Sequence, residues 1–338
     1  LNNISEPFYE LKKQHGVEEL SIIKFVFYNN YQIKKSNDEI AQSLLDIVQA
    51  SNANNNKLQG FDYLLFYLSL SLNLNPKFNE SFFITAQLYQ MMKNYEEAEK
   101  FYNKVYKDHS LYLESRKNIA INKKHQNNTK EAEEKLISLI DLYPKNENLF
   151  VSLADLYKST KQYKKAIPYY SIVLNNQDLD ENHRWQLLYM RGICYERINN
   201  WKSAEEDLLK SLEINPESPK VLNYLAYSWI EKNVFLNESL KMLKKAYEKN
   251  PKSHYILDSL AWAHFKKNNL IIASKLMEEV IIRAPGEAIS LDHLGDIYFA
   301  MGRKREALYM WRQAKDLVEP EDNIIDKILI KLNKYDAG

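Results

Sequence analysis

The chain of 338 residues is poor in the residues that bend and staple proteins: one cysteine, seven glycines and nine prolines. A lone Cys194 excludes an internal disulfide framework and any multi-cysteine zinc or iron–sulfur site. Glycine and proline fall well below their usual shares of about 7% and 5%, which implies long helices and short connections. No run of 18 apolar residues occurs, so no transmembrane helix is expected. The most apolar stretch, Leu64 to Leu72, carries Ser69 and Ser71 and reads as one buried helix face. Neither sign of charge dominates, with 46 Lys and Arg against 45 Asp and Glu. That balance argues against nucleic acid as a partner, since backbone binding draws on a cationic surplus. The chain opens on Leu1 rather than methionine, so something upstream is expected to have been removed, and a signal peptide, a lipid anchor and a further domain stay open alternatives for it.

What is present is a period. Prolines at Pro76, Pro144, Pro216, Pro251, Pro285 and Pro320 are spaced 68, 72, 35, 34 and 35 apart, and the first spacing is twice 34. Ala86, Ala120, Ala154, Gly192, Ala226, Ala261 and Gly295 are separated by 34, 34, 38, 34, 35 and 34. A second small series, Ala98, Ala132, Ala166, Ala204, Ser239, Ala273 and Ala307, keeps the same beat with the same four-residue insertion. Fixed self-similarity of this length marks a repeat architecture. Each unit reads as two antiparallel helices. In the last, Leu291, Leu294 and Tyr298 make one apolar stripe, Gly302 suits the left-handed residue that ends a helix, and Ala307, Leu308, Trp311 and Ala314 form the buried face of a second helix. Gly295 and Ala307 lack bulk, so the two backbones can approach there. Pro320 closes the unit.

The small residue of the first helix is usually preceded by leucine (Leu153, Leu225, Leu260, Leu294) and followed three residues on by an aromatic (Tyr89, Tyr157, Tyr195, Trp229, Tyr298). This pattern resembles the tetratricopeptide-repeat family. The resemblance implies an all-α fold, a right-handed superhelical solenoid of helix-turn-helix units. Seven repeats cover residues 79–320. Residues 1–78 form an irregular helical segment with at least one degenerate pair, Asp38 to Ala50 and Phe61 to Leu74, joined by an Asn-rich loop from Ser51 to Lys57. Glu18 to Tyr28 is expected to be helical too. Residues 321–338 supply a capping helix on Ile324, Ile325, Ile328, Leu329 and Leu332, and a tail. Two units depart from the pattern: Lys123 stands where an aromatic belongs, and Arg191 replaces the leucine.

Chemistry-bearing patterns are missing. There is no phosphate-cradling glycine loop, no G-x-S-x-G elbow and no H-E-x-x-H pair, and the seven histidines share no ligand spacing. His264 occupies an aromatic slot and reads as a packed core residue, and Cys194 as a buried thiol. No metal, no cofactor and no catalytic activity are therefore expected.

The informative surface is the concave side, lined by the first helix of each repeat. At the positions flanking the apolar stripe, the C-terminal half carries Tyr189, Asn223, Tyr227, Asp258, Trp262, Phe265, Asp292, Asp296 and Phe299, with Tyr255 at the rim. This set is the candidate peptide-binding groove. Asn223 pairs with a peptide backbone through donor and acceptor, the aromatics anchor apolar groups, and the aspartates favour Lys or Arg on the ligand. In the competing reading the aromatics pack between repeats and the aspartates bond neighbouring units. The expected function is a protein–protein interaction scaffold for a protein or peptide with basic and apolar residues. The alternatives are a self-associating module, motivated by Leu64, Leu65, Phe66 and Leu68 close together, and the interaction part of a longer enzyme. The phrases 222–229, 257–262 and 292–296 resemble those of bacterial envelope-associated tetratricopeptide proteins, which implies the periplasm or the periplasmic face of the outer membrane, with the cytoplasm as the alternative.

Overall fold

The computed structural model describes residues 36–54, 60–318 and 324–335. Among them it has seventeen helices and no strand. They run α1 (Asn37–Asn54), α2 (Phe61–Leu74), α3 (Asn79–Met91), α4 (Tyr95–Lys104), α5 (Tyr112–His125), α6 (Thr129–Leu142), α7 (Glu147–Ser159), α8 (Tyr163–Leu174) and α9 (Glu181–Arg197). Then follow α10 (Trp201–Ile214), α11 (Pro219–Glu231), α12 (Leu236–Lys249), α13 (His254–Lys266), α14 (Leu270–Arg283), α15 (Ala288–Ala300), α16 (Lys304–Leu317) and α17 (Ile325–Tyr335). The chain divides into two compact units, residues 1–169 and 170–338, with the boundary inside α8.

The tight turns inside the repeats share one geometry. Lys93, Asn127, Lys161, Asn199, Asn233, Asn268 and Gly302 all have positive φ, and they recur on the sequence period. In every case the next residue's N–H reaches back to the carbonyl of the aromatic-slot residue: Asn94 to Tyr89, Asn128 to Lys123, Gln162 to Tyr157, Asn200 to Tyr195, Val234 to Trp229, Asn269 to His264 and Arg303 to Tyr298, all at 2.8 or 2.9 Å. This is the Schellman closure of a helix end. Asn94, Asn128 and Asn200 then cap the following helix through their side chains. Asparagine and glycine tolerate the left-handed backbone, and lysine does so at a cost. So short a connection returns the chain antiparallel to itself.

In the first unit, α1 packs on α2, α3 on α4 and α5 on α6. The apolar run on α2 is buried around most of its circumference rather than on one face, with Leu64, Leu65, Phe66, Tyr67, Leu68 and Leu70 all inside a core shared with α1. Sandwiching between α1 and α3 explains this. Ser71, at the centre, donates to Ala41 O at 2.9 Å and shares a hydrogen bond with Ser81 Oγ at 2.8 Å. The leucine cluster that motivated a self-associating surface is therefore spent inside the unit. Helix α1 runs on to Asn54, so part of the segment expected as an Asn-rich loop is helical. The helix expected over Glu18 to Tyr28 lies outside the described residues. The lysine departure is solved by charge: Lys123 Nζ meets Glu99 at 2.7 Å and Glu131 at 3.6 Å.

In the second unit the pairs α9–α10, α11–α12, α13–α14 and α15–α16 stack in order, and α17 packs on α16. Arg191 reaches Asp207 through two parallel hydrogen bonds of 2.7 and 2.8 Å and Ser171 Oγ at 2.9 Å, so the missing leucine is replaced by a buried fork. Cys194 and His264 are buried. Burial, with Lys244 and Lys267 near, pushes the His264 pKa down and keeps the ring neutral. A Cβ on Gly295 would lie 2.4 Å from the Trp311 ring. Gly295→Ala is expected to cost about 1–3 kcal/mol by overpacking, read by denaturant unfolding. Conversely Lys93→Gly, at an exposed left-handed position, is expected to gain up to about 1 kcal/mol, because strain of about 1–2 kcal/mol is relieved against a smaller entropic loss. An unchanged or lower midpoint for Lys93→Gly would contradict the strain argument.

Candidate functional site

The inner helices of the second unit, α9, α11, α13 and α15, carry all ten candidate groove residues. The structure sorts them into two groups. The first is engaged within the chain. Asp258 on α13 accepts from His293 Nδ1 at 2.9 Å and from Ser290 Oγ at 3.1 Å, both on α15 one repeat later. The Trp262 ring lies against His293 at 4.0 Å and 15° and against Phe265 at 4.7 Å and 23°, and its Nε1 donates to Glu231 Oε1 at 2.6 Å. Lys331 on α17 meets Asp292 at 2.7 Å and Asp296 at 2.6 Å, while Trp311 Nε1 donates to Asp296 at 3.1 Å. Phe299 packs on Tyr335 at 4.3 Å and on Trp311 at 5.5 Å. Asp258, Trp262 and Asp292 are buried. The carboxylates that promised attraction for a basic ligand are thus answered from within, by His293 and Lys331.

The second group is less tied to the neighbouring repeats. Asn223, half-buried on α11, has an amide oxygen shielded from solvent and no hydrogen-bond partner in the chain. Tyr189 lies edge-on to Tyr224 at 5.8 Å, and Tyr224 donates to Glu196. Burial raises the Tyr189 pKa. Tyr227 is half-buried against the core of α11–α13, and burial, followed by Glu231, Asp258 and Asp292, holds its phenol well above the ordinary range. Tyr255, at the start of α13, is 60% exposed, with its hydroxyl at 3.3 Å from Glu287 and its ring against His254.

Among the participants that escaped sequence reasoning are His293, Lys331 and Glu231. His293 stands 35 residues after Asp258, one repeat and one step, so the repeat register held that signal. Lys331 had none, because its pairing depends on how α17 docks. Burial alone would lower the His293 pKa, but the adjacent Asp258, with Asp292 and Asp296 beyond it, outweighs this and holds it above the ordinary value. Burial raises the Asp296 pKa, Lys331 pulls it down, Asp292 adds to the rise, and the net is upward. Among the described residues no group of three His, Cys, Asp or Glu side chains is placed to hold a metal ion, and no helix is long and apolar enough to cross a membrane.

Tetratricopeptide-repeat family models match residues 80–111, residues 148–171 with 186–218, and residues 288–319. The chain is a tetratricopeptide-repeat protein. It is 26% identical over 175 residues to a TPR repeat-containing protein of Methanocaldococcus jannaschii, a stretch that covers 52% of this chain and 26% of that one. It is 30% identical over 114 residues to a UDP-N-acetylglucosamine–peptide N-acetylglucosaminyltransferase of Giardia intestinalis, covering 33% of this chain and 7% of that enzyme. The chain thus spans about a quarter or less of the length of these curated relatives. Among solved structures, a tetratricopeptide-repeat protein from Parabacteroides merdae has a TM-score of 0.58 at 20% identity, over 75% of this chain and 97% of that one. The Cut9–Hcn1 hetero-tetramer of the APC/C gives the same score at 14% identity, over 80% and 52%. These likenesses show a shared fold. Repeats of this family are generally non-catalytic interaction scaffolds.

A raised folded pKa at His293 means that its contribution to stability is complete below the unfolded value and is lost as pH rises through the folded one. Melting of the wild type is expected to fall from mildly acidic to alkaline pH, and His293→Gln to flatten that slope. His293→Ala, which leaves Asp258 buried without its cation, is expected to cost about 3–5 kcal/mol, seen as lost amide protection in α13 and α15 while α9 is unchanged.

Proposed function

We propose that this tetratricopeptide-repeat protein is a non-catalytic scaffold that holds an extended peptide against α9, α11 and the start of α13. The observation that carries the reading is Asn223: a half-buried amide on the inner helix with its oxygen shielded and unpaired. An unsatisfied buried acceptor costs about 1–3 kcal/mol and is relieved when a ligand supplies the missing partner. Turning the amide about its last bond presents either donor or acceptor, which matches the alternating N–H and C=O of a peptide backbone. Tyr189 and Tyr227 supply rigid apolar contact, and Tyr255 extends it at the rim. Asp258, Trp262, Asp292 and Asp296 act in this reading as a wall, locked by His293, Glu231 and Lys331, while Phe265 and Phe299 complete its packing.

The cellular setting we propose is the bacterial envelope, on its periplasmic side. Its support is the resemblance of the phrases at 222–229, 257–262 and 292–296. Fractionation of the native cells tests it, and a cytoplasmic pool overturns it.

Selection from a displayed library of random peptides tests the groove. Asn223→Ala combined with Tyr255→Ala is expected to weaken the selected peptides by about 2 kcal/mol, roughly thirtyfold, with helicity by circular dichroism unchanged. Equal binding by the double variant would remove the groove as the site.

A further inference from the structure

The second helix of the first full repeat stops early. Helix α4 has 10 residues, whereas α6, α10, α12, α14 and α16 have 14. By the repeat register, the missing turn is residues 105–108. Asn79 Oδ1 takes the Tyr106 N–H at 2.8 Å, diverting the backbone from the helical ladder, and Val105 leaves the helix in an extended conformation with its side chain buried. A cleft of about 810 Å³ opens beside this unwound end, among the end of α4, the starts of α3 and α5 and the end of α2. It lies at helix ends and inter-repeat turns of the first unit, whereas the residues proposed above for peptide binding belong to the second.

Lys104, Lys107 and Arg116 face the cleft, together with the aromatic rings of Phe82, Tyr106 and Tyr112, and among the described residues no carboxylate lines it. Among the described residues none of the three cations forms an ion pair, in a chain whose formal charge is only +1 and where cations such as Lys117, Lys123 and Lys135 do. Lys104 and Lys107 are exposed. Lys104 Nζ stands over the rings of Phe82 and Phe101, at 5.6 and 4.4 Å. Arg116 stacks on Tyr112 and donates to two neutral acceptors, Asn103 Oδ1 at 2.5 Å and Tyr102 O at 2.6 Å. Its Nε is buried without a partner. The hydrogen bond to Tyr102 O also answers the exposed carbonyl end of α4, whose dipole would otherwise repel an anion.

We propose that this cleft is a second binding site, for an acidic peptide segment in which carboxylate and apolar side chains alternate. A carboxylate suits three unpaired cations, one of them a pre-positioned guanidinium. The aromatic rings suit an apolar neighbour. The volume lies toward the upper end of the roughly 300–1,000 Å³ typical of ligand sites, more than one carboxylate fills.

Calorimetric titration of the full chain with an acetylated and amidated pentapeptide alternating glutamate and phenylalanine tests this. Saturable binding that weakens with added salt is expected, and a version with glutamine for glutamate is expected not to bind. Lys104→Glu with Lys107→Glu, both at exposed positions that leave the core untouched, is expected to weaken binding about tenfold or more. Asn223→Ala is expected to bind as the wild type does. Equal binding of the glutamine peptide, indifference to the double reversal, loss on Asn223→Ala, or no saturation at all would each overturn the proposal. So would preferential capture of an oligonucleotide over the acidic peptide.

Discussion

Every feature of this molecule depends on two helices being able to touch at a point without side chains of any size. Ala86, Ala98, Ala120, Ala132, Ala154, Ala166, Ala204, Ala226, Ala261, Ala273 and Ala307 are wholly buried. Gly295 sits so near the Trp311 ring that a methyl group has no room. Close backbone contact lets the larger residues beside it, such as Tyr102, Tyr170 and Trp311, fill the remaining space at interior density. The seven left-handed turns follow from the same requirement, because only a short, sharp reversal returns the second helix at contact distance.

That economy has a consequence for the inner wall of the second unit. Adjacent first helices approach along it, so residues there have two possible partners: the next repeat or an outside ligand. Asp258 with His293, Trp262 with Glu231, and Asp292 and Asp296 with Lys331 have taken the first option. These links tie each repeat to its successor and α17 to the last one. Nearest-neighbour coupling of this kind sets the cooperativity of a repeat array. The Asn223 amide oxygen has taken neither, and in the function proposed above it is the group left for a ligand.

The departures from the repeat are as instructive as the repeats. Lys123 and Arg191 each lose an apolar contact and recover it as charge, through Glu99 and through Asp207. A helix pair thus tolerates a polar exception where the partner helix carries a matching carboxylate. The early stop of α4 is different in kind, since among the described residues nothing refills the vacated turn and a cationic cleft results.

The repeat architecture was legible in the residues alone, and so was the left-handed turn at Gly302. Small residues, aromatics and prolines at a 34-residue beat leave only one way to pack, and the physics is local to each hairpin. The sequence also placed His264 and Cys194 in the interior, because their register positions are stripe positions. What it left open was which flanking residues face a ligand and which face a neighbour. That choice belongs to contacts between residues 30 to 40 positions apart, as in Asp258 with His293 or Asp292 with Lys331. Such contacts depend on how one helix pair rotates against the next and on where α17 docks, and a single helix's periodicity holds no record of either. The early end of α4 was equally silent, since one asparagine capturing one backbone N–H leaves no mark in the hydrophobic pattern.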